Sequence, residues 1–349
     1  MQEFGPDYRR FGSKAEVTQS ESDFADPYRN FHRIERLSII KGMTLSRYMP
    51  RRALIQAAVV VPMLAGGARR SRGDVPDGGG RLQTIAPGHG SQTADLGDTR
   101  IELHTYKPSN WGGKGILLHF HGLRSHPSGE LGSLIHLSDR SGFMLIAPYF
   151  DLNRFPFWRY QAVGIAEPGS LRPRESWTGN LILDLLRRLA ALEGPGMAVR
   201  LIGHSAGGQF VDRFAGFHSA GAARLVAANP ASMLMPSRDY SYPYGFGRLP
   251  ESIASDDAIA AYLRQPLVLY VGEVDDQSQG TPDISPEAMR QGDTRPQRAR
   301  LAFETGRALA KARGWEFNWR FVSRPSVGHN LLQMFAGAFA YDVVFNEIP

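Results

Sequence analysis

The 349-residue chain contains no cysteine. That absence excludes disulfides, thiolate metal sites, a cysteine nucleophile and an acylated lipoprotein anchor. Long hydrophobic runs are also missing. The best apolar stretch, Ala53 to Ala65, is broken by Gln56 and Pro62, whereas a bilayer span takes about 20 residues. A stable membrane anchor is therefore not expected. Charge of one sign is scarce in the body of the chain. The net charge is +6, but residues up to Arg81 hold 14 Lys and Arg against 9 Asp and Glu, leaving 26 against 25 beyond. A near-neutral body has no electrostatic footprint for nucleic acid, so no nucleic-acid partner is expected. What is present, 42% hydrophobic and 21% charged residues, suits a globular chain with a sizeable core and excludes a mostly disordered chain or a coiled coil.

The N-terminal part divides by composition. Residues 1–42 form a polar leader with no sustained apolar period. In residues 43–68 the order is basic, then apolar, then small, which is that of an export signal. Its paired Arg51-Arg52 resembles a twin-arginine signal, used to export folded proteins. Translation is therefore expected to begin at Met43, with the product periplasmic or secreted through export machinery; a cytoplasmic location is the alternative. Residues 69–94, rich in Gly and Pro, read as a linker, and residues 95–349 as the folded body.

In that body short apolar runs alternate with longer helical patterns, the signature of a parallel sheet with crossover helices on both faces. The strand candidates are Ile101–Tyr106, Ile116–Phe120, Met144–Pro148, Val199–Ile202, Arg224–Ala228, Leu267–Val271 and Phe317–Val322. Helical spacing marks Asn180–Leu192, Ala206–Phe217, Ser252–Arg264, Arg298–Arg313 and Leu331–Phe345. The Tyr-, Pro- and Gly-rich residues 233–250 have no clear period and read as an inserted loop or small aromatic lid.

Gly203-His204-Ser205-Ala206-Gly207 holds G-x-S-x-G directly between a predicted strand and a predicted helix. A sharp strand-to-helix turn lifts the serine hydroxyl clear of the sheet, and the following helix aims its first N–H groups at the same place. Ser205 is thus the candidate nucleophile. His329 follows the last predicted strand, where a loop can reach across the carboxyl edge of the sheet, and is the candidate general base. The buried run Leu267–Val271 ends in Gly272-Glu273-Val274-Asp275-Asp276. Asp275 is the choice for the acid that orients His329, with Asp276 and Glu273 as alternatives. The order Ser, Asp, His is the one expected for an α/β-hydrolase. Backbone N–H groups of Leu123, after the strand Ile116–Phe120, and of Ala206 would form the oxyanion hole. His119, His121 and His126 lack a nearby carboxylate before Glu130, so a metal site is not expected there, and His121 reads as a brace for its loop.

These residues together resemble a serine α/β-hydrolase over about residues 95–349. More narrowly, Phe157-Trp158-Arg159-Tyr160-Gln161, Asn229-Pro230, Tyr242-Pro243-Tyr244-Gly245-Phe246-Gly247 and Phe317-Asn318-Trp319-Arg320 resemble bacterial exported esterases and polyhydroxyalkanoate depolymerases. The resemblance implies the α/β-hydrolase fold and a triad of Ser205, Asp275 and His329. It also implies an oxyanion hole at Leu123 and Ala206. The adjacent carboxylates Asp275 and Asp276 depart from the family pattern. The expected reaction is hydrolysis of a small or polymeric carboxylic ester through an acyl-enzyme, with no cofactor. Acyl transfer to an alcohol, amide or peptide hydrolysis, and a non-catalytic binding module are the alternatives. Trp158, Tyr242 and Tyr244 are the candidates for lining an apolar acyl pocket.

Overall fold

The computed structural model describes residues 80–346 apart from Gln277. The leader, the export signal and the first part of the expected linker lie outside those residues. No helix among the described residues is long and apolar enough to cross a membrane.

Among the described residues ten strands are formed: β1 (Gly88–Leu96), β2 (Thr99–Lys107), β3 (Gly115–Phe120), β4 (Met144–Tyr149), β5 (Ala166–Glu167), β6 (Ser170–Leu171), β7 (Ala198–His204), β8 (Arg224–Ala228), β9 (Leu267–Gly272) and β10 (Arg320–Arg324). Eight of them make one sheet in the order β1-β2-β4-β3-β7-β8-β9-β10, and β5 and β6 form a separate small hairpin. β1 and β4 both run antiparallel to β2, and every other pairing in the large sheet is parallel. The strands β3 and β9 are buried at every residue, as expected where crossover helices cover both faces. Alternate residues feed opposite layers. Leu118, Phe120, Phe210 and Trp319 belong to one apolar cluster, and Leu117, Leu145, Val226 and Val343 to the other. Each fully buried side chain of this size contributes about 1.5–3 kcal/mol relative to exposure.

Several boundaries differ from the sequence reading. β1 lies mostly within residues 69–94, the expected linker. Only two of its nine residues, Ala94 and Leu96 at its C-terminal end, are buried, so Gly and polar residues occupy an edge strand without a strong apolar signal. Gly97, at φ +55, supplies the dihedral that the tight β1–β2 turn needs. β10 begins at Arg320, not Phe317. The residues before it are held to the neighbouring helix instead: Asn318 N–H donates to Leu263 O and the Trp319 indole to Tyr262 O. The pattern 252–264 splits into helices Glu251–Ala254 and Asp256–Leu263 because Ser255 is extended and caps the second. The pattern 331–345 likewise splits at Gly337, φ +67, into Leu331–Met334 and Gly337–Phe345.

Candidate active site

The strand β7 ends at His204, and helix Ala206–Phe217 begins one residue after Ser205. Ser205 itself has φ 56 and ψ −113, a conformation that stores about 1–3 kcal/mol of strain and needs support from its surroundings. The support is close backbone packing. A Cβ on Gly203 would lie 2.2 Å from Gly207 O, one on Gly207 1.9 Å from Phe120 O, and one on Gly208 2.5 Å from Ala228 O. Ser205 N–H donates to Ala228 O at 2.9 Å. The turn is thus clamped between β3 and β8, and Gly208 joins the two glycines expected from the sequence.

His329 stands in the loop between β10 and helix Leu331–Met334, with Nδ1 2.8 Å from Asp275 Oδ2. Donation from Nδ1–H to the carboxylate leaves Nε2 free to accept a proton. Both side chains are nearly sealed from solvent, with 7% and 0% exposure. The alternative acids turn elsewhere. Asp276 is exposed and bonds Ser278, while exposed Glu273 accepts from Ser326 N–H. The His329 ring packs on that of His204 with centroids 4.7 Å apart, which sets the imidazole beside the Ser205 turn. Burial, and then neighbouring His329, hold His204 well below the usual imidazole range, so it stays neutral.

Two further residues fix this arrangement. Arg295, fully buried, donates from Nη1 to Asp275 Oδ1 at 2.7 Å and to the carbonyls of Asp276 and Gln279. Its pairing keeps Asp275 in place and leaves one carboxylate oxygen to each partner. Asn229, at φ 46 after β8, accepts from Gly272 N–H and donates to Gly328 O, tying together the loops that carry Asp275 and His329. Sequence reasoning missed Arg295. The available signal was a basic residue in the first turn of helix Arg295–Arg313, where the helix dipole disfavours positive charge unless a carboxylate answers it.

The cavity beside Ser205 is lined by Leu123, Gln161, Ala206, Gln209, Ala231, Thr281 and Asp283 as well as Ser205 itself. Leu123 and Ala206 therefore flank the serine in one cavity. Ala206 is the first residue of its helix, where backbone N–H groups have no intrahelical partner. The loop carrying Leu123 is braced by three groups. His121 donates from Nδ1 to Gly122 O and accepts on Nε2 from Phe150 N–H. Burial lowers its pKa to about 4, consistent with the neutral ring that this pair of bonds requires. Glu130 accepts from His119 Nε2 at 2.7 Å and from Gly122 N–H. Tyr160 donates its hydroxyl to His121 O.

The three aromatics expected in an acyl pocket are not among the cavity's lining residues. The Tyr244 hydroxyl bonds Ser285 Oγ, the Tyr242 hydroxyl bonds Ala162 O, and Trp158 packs beneath the Arg172 guanidinium. Residues 233–250 have no regular helix, yet they pack firmly. Met233, Leu234, Met235 and Phe246 are buried, and Arg213 Nε donates to Pro243 O. Tertiary packing accounts for their apolar character.

No family model matches the chain, and no curated protein does. Solved structures do. The poly(aspartic acid) hydrolase-1 from Sphingomonas sp. KT-1 is similar at 27% identity and a TM-score of 0.68, over 75% of this chain and 100% of that one. A poly(3-hydroxybutyrate) depolymerase from Bordetella parapertussis is similar at 29% identity and a TM-score of 0.65, over 71% of this chain and 88% of that one. The chain is a hydrolase of the α/β-hydrolase fold. The sheet order and the mixed pairing at its β1-β2-β4 end agree with that assignment.

Proposed function

We propose that this α/β-hydrolase cleaves carboxylic esters through an acyl-enzyme on Ser205. The observation that carries the reading is the 2.8 Å contact of His329 Nδ1 with buried Asp275, beside a strained serine turn. In the first step Ser205 Oγ attacks the ester carbonyl carbon, and its proton passes to His329 Nε2. The oxyanion is stabilised by the N–H groups of Leu123 and Ala206, each donor of this kind contributing about 3–4 kcal/mol. Collapse expels the alcohol, which takes the proton from His329. Water then attacks the acyl carbon, again through His329, and releases the acid. Asp275 holds the imidazole in the productive tautomer, and Arg295 positions Asp275.

A second reading, amide hydrolysis, is favoured by the polarity of the cavity. Buried Gln161 Oε1 has no hydrogen-bond partner, and Gln161 and the carboxylate of Asp283 both line it. Such acceptors suit a substrate that brings N–H or O–H groups. One of the two similar structures is a hydrolase of poly(aspartic acid), the other a polyester depolymerase. Residues 43–68 lead us to propose that the ester or amide is met outside the cytoplasm.

The test is hydrolysis of p-nitrophenyl esters from acetyl to palmitoyl, with Ser205→Ala as the comparison. Turnover that falls by about 10⁴ or more in the variant supports the reading. Equal turnover in both proteins would refute it. No ester turnover, with release of amine from amide substrates, would establish the second reading.

A further inference from the structure

Away from the cavity, a group of side chains takes no part in the proposed chemistry. Glu102 and His104 are two residues apart on β2, so both leave the same face of the sheet. His126 immediately precedes the short helix Pro127–Leu131, and its ring stands 4.8 Å from that of His104 in an edge-on arrangement. One carboxylate oxygen of Glu102 and one ring nitrogen from each histidine all lie within 4.8 Å of one another. We propose that Glu102, His104 and His126 form a binding site for a divalent transition ion of the zinc type.

The donor set is the first reason. Two imidazoles and one carboxylate are ligands that zinc-type ions accept in tetrahedral geometry, with a fourth position left for water. The second is the convergence of the donor atoms. His104 is 8% exposed, and its Nε2 lies 2.9 Å from Glu102 Oε1. An ion between the two groups would replace that direct contact. The third reason is the outer contact of His126. Its Nδ1 meets Ser128 Oγ at 2.8 Å, which fixes the ring and leaves Nε2 for the ion, the usual supporting pattern for a ligating histidine. His126 is exposed, so an ion has a path in. Bonds of about 2.0–2.2 Å put tetrahedral ligand atoms about 3.4 Å apart, so donor atoms that lie within 4.8 Å of one another need adjust by no more than about 1.4 Å, and the exposed His126 ring has room to move.

The other histidines of this region are committed elsewhere, His119 to Glu130 and His121 to Gly122 and Phe150. The site therefore draws a different trio from the one that the spacing of His119, His121 and His126 suggests. An ion held there would tie the loop carrying Leu123, three residues before His126, to β2.

The experiment uses the full chain after chelator treatment, titrated calorimetrically with Zn²⁺ and optically with Co²⁺. One ion per chain is expected, with a Kd below about 10 μM. Binding should weaken at least tenfold in His126→Ala and in Glu102→Gln, and Zn²⁺ should raise the Tm of the parent protein but not of His126→Ala. His126 is exposed, so its removal leaves the core untouched. The absence of saturable binding would overturn the proposal. So would equal affinity in His126→Ala, because the ion would then sit on other surface histidines. The outcome is independent of ester turnover.

Discussion

Replacing Glu130 by Gln is expected to lower stability at pH 7 by about 3 kcal/mol. Burial alone would raise the Glu130 pKa, but the hydrogen bond and charge of His119, with bonds from Ser125 and Gly122 N–H, hold it at about 2 instead of 4.5. At about 1.36 kcal/mol per unit, that gap is worth about 3 kcal/mol. The folded-state pKa lies below the unfolded one, so the contribution is complete above about pH 4.5 and is lost as pH falls through about 2. Glutamine keeps the shape and one acceptor but cannot ionise. Urea unfolding of the parent and Glu130→Gln proteins should therefore differ by about 3 kcal/mol at pH 7 and by about 1.5 kcal/mol at pH 3. The side chain is only 13% exposed, so solvent screening removes little of this. Equal stabilities at pH 7, or a gap that does not narrow on acidification, would refute the assignment of Glu130 as an ionised brace. Activity should fall as well, because Gly122 precedes Leu123 in the cavity wall.

Three further outcomes follow from the packing. Gly207→Ala places a Cβ 1.9 Å from Phe120 O, so folded protein recovered by circular dichroism should have lost at least about 100-fold in ester hydrolysis. Arg295→Met leaves a buried carboxylate at Asp275 with one partner fewer and should cost about 3–5 kcal/mol in chemical denaturation; a loss under about 1 kcal/mol would mean that solvent reaches the pair. Tyr244→Phe should lower stability by about 1 kcal/mol through its lost bond to Ser285. Its profile across ester chain lengths should match the parent's, and a shifted optimum would place Tyr244 against the acyl group after all.

Much of the fold was legible because its signals are local. The β7–Ser205–helix turn is written in five adjacent residues, and the buried strands β3 and β9 are continuous apolar runs. His329 could be picked out from its place after the last strand. What could not be read depends on residues far apart in sequence. The edge strand β1 has little apolar content and gains its identity from pairing with β2. Arg295 meets Asp275 across 20 residues, and its place in a first helical turn asks for a carboxylate without saying which one. The choice among Glu273, Asp275 and Asp276 rests on the direction in which each side chain leaves the β9 turn. Tyr242 and Tyr244 show a different kind of case. Aromatic residues in an irregular segment suggest a binding surface, whereas here they fill the space between that segment and the body.

The central claim is that Ser205 is the reacting nucleophile, and covalent trapping tests it most directly. A fluorophosphonate forms a P–O bond to an activated serine and expels fluoride, so one adduct per chain should appear by intact mass. Peptide mapping should place it on Ser205, with no adduct in Ser205→Ala and much slower labelling in His329→Ala. An adduct at another residue, or ester turnover that continues when Ser205 is absent, would contradict the account.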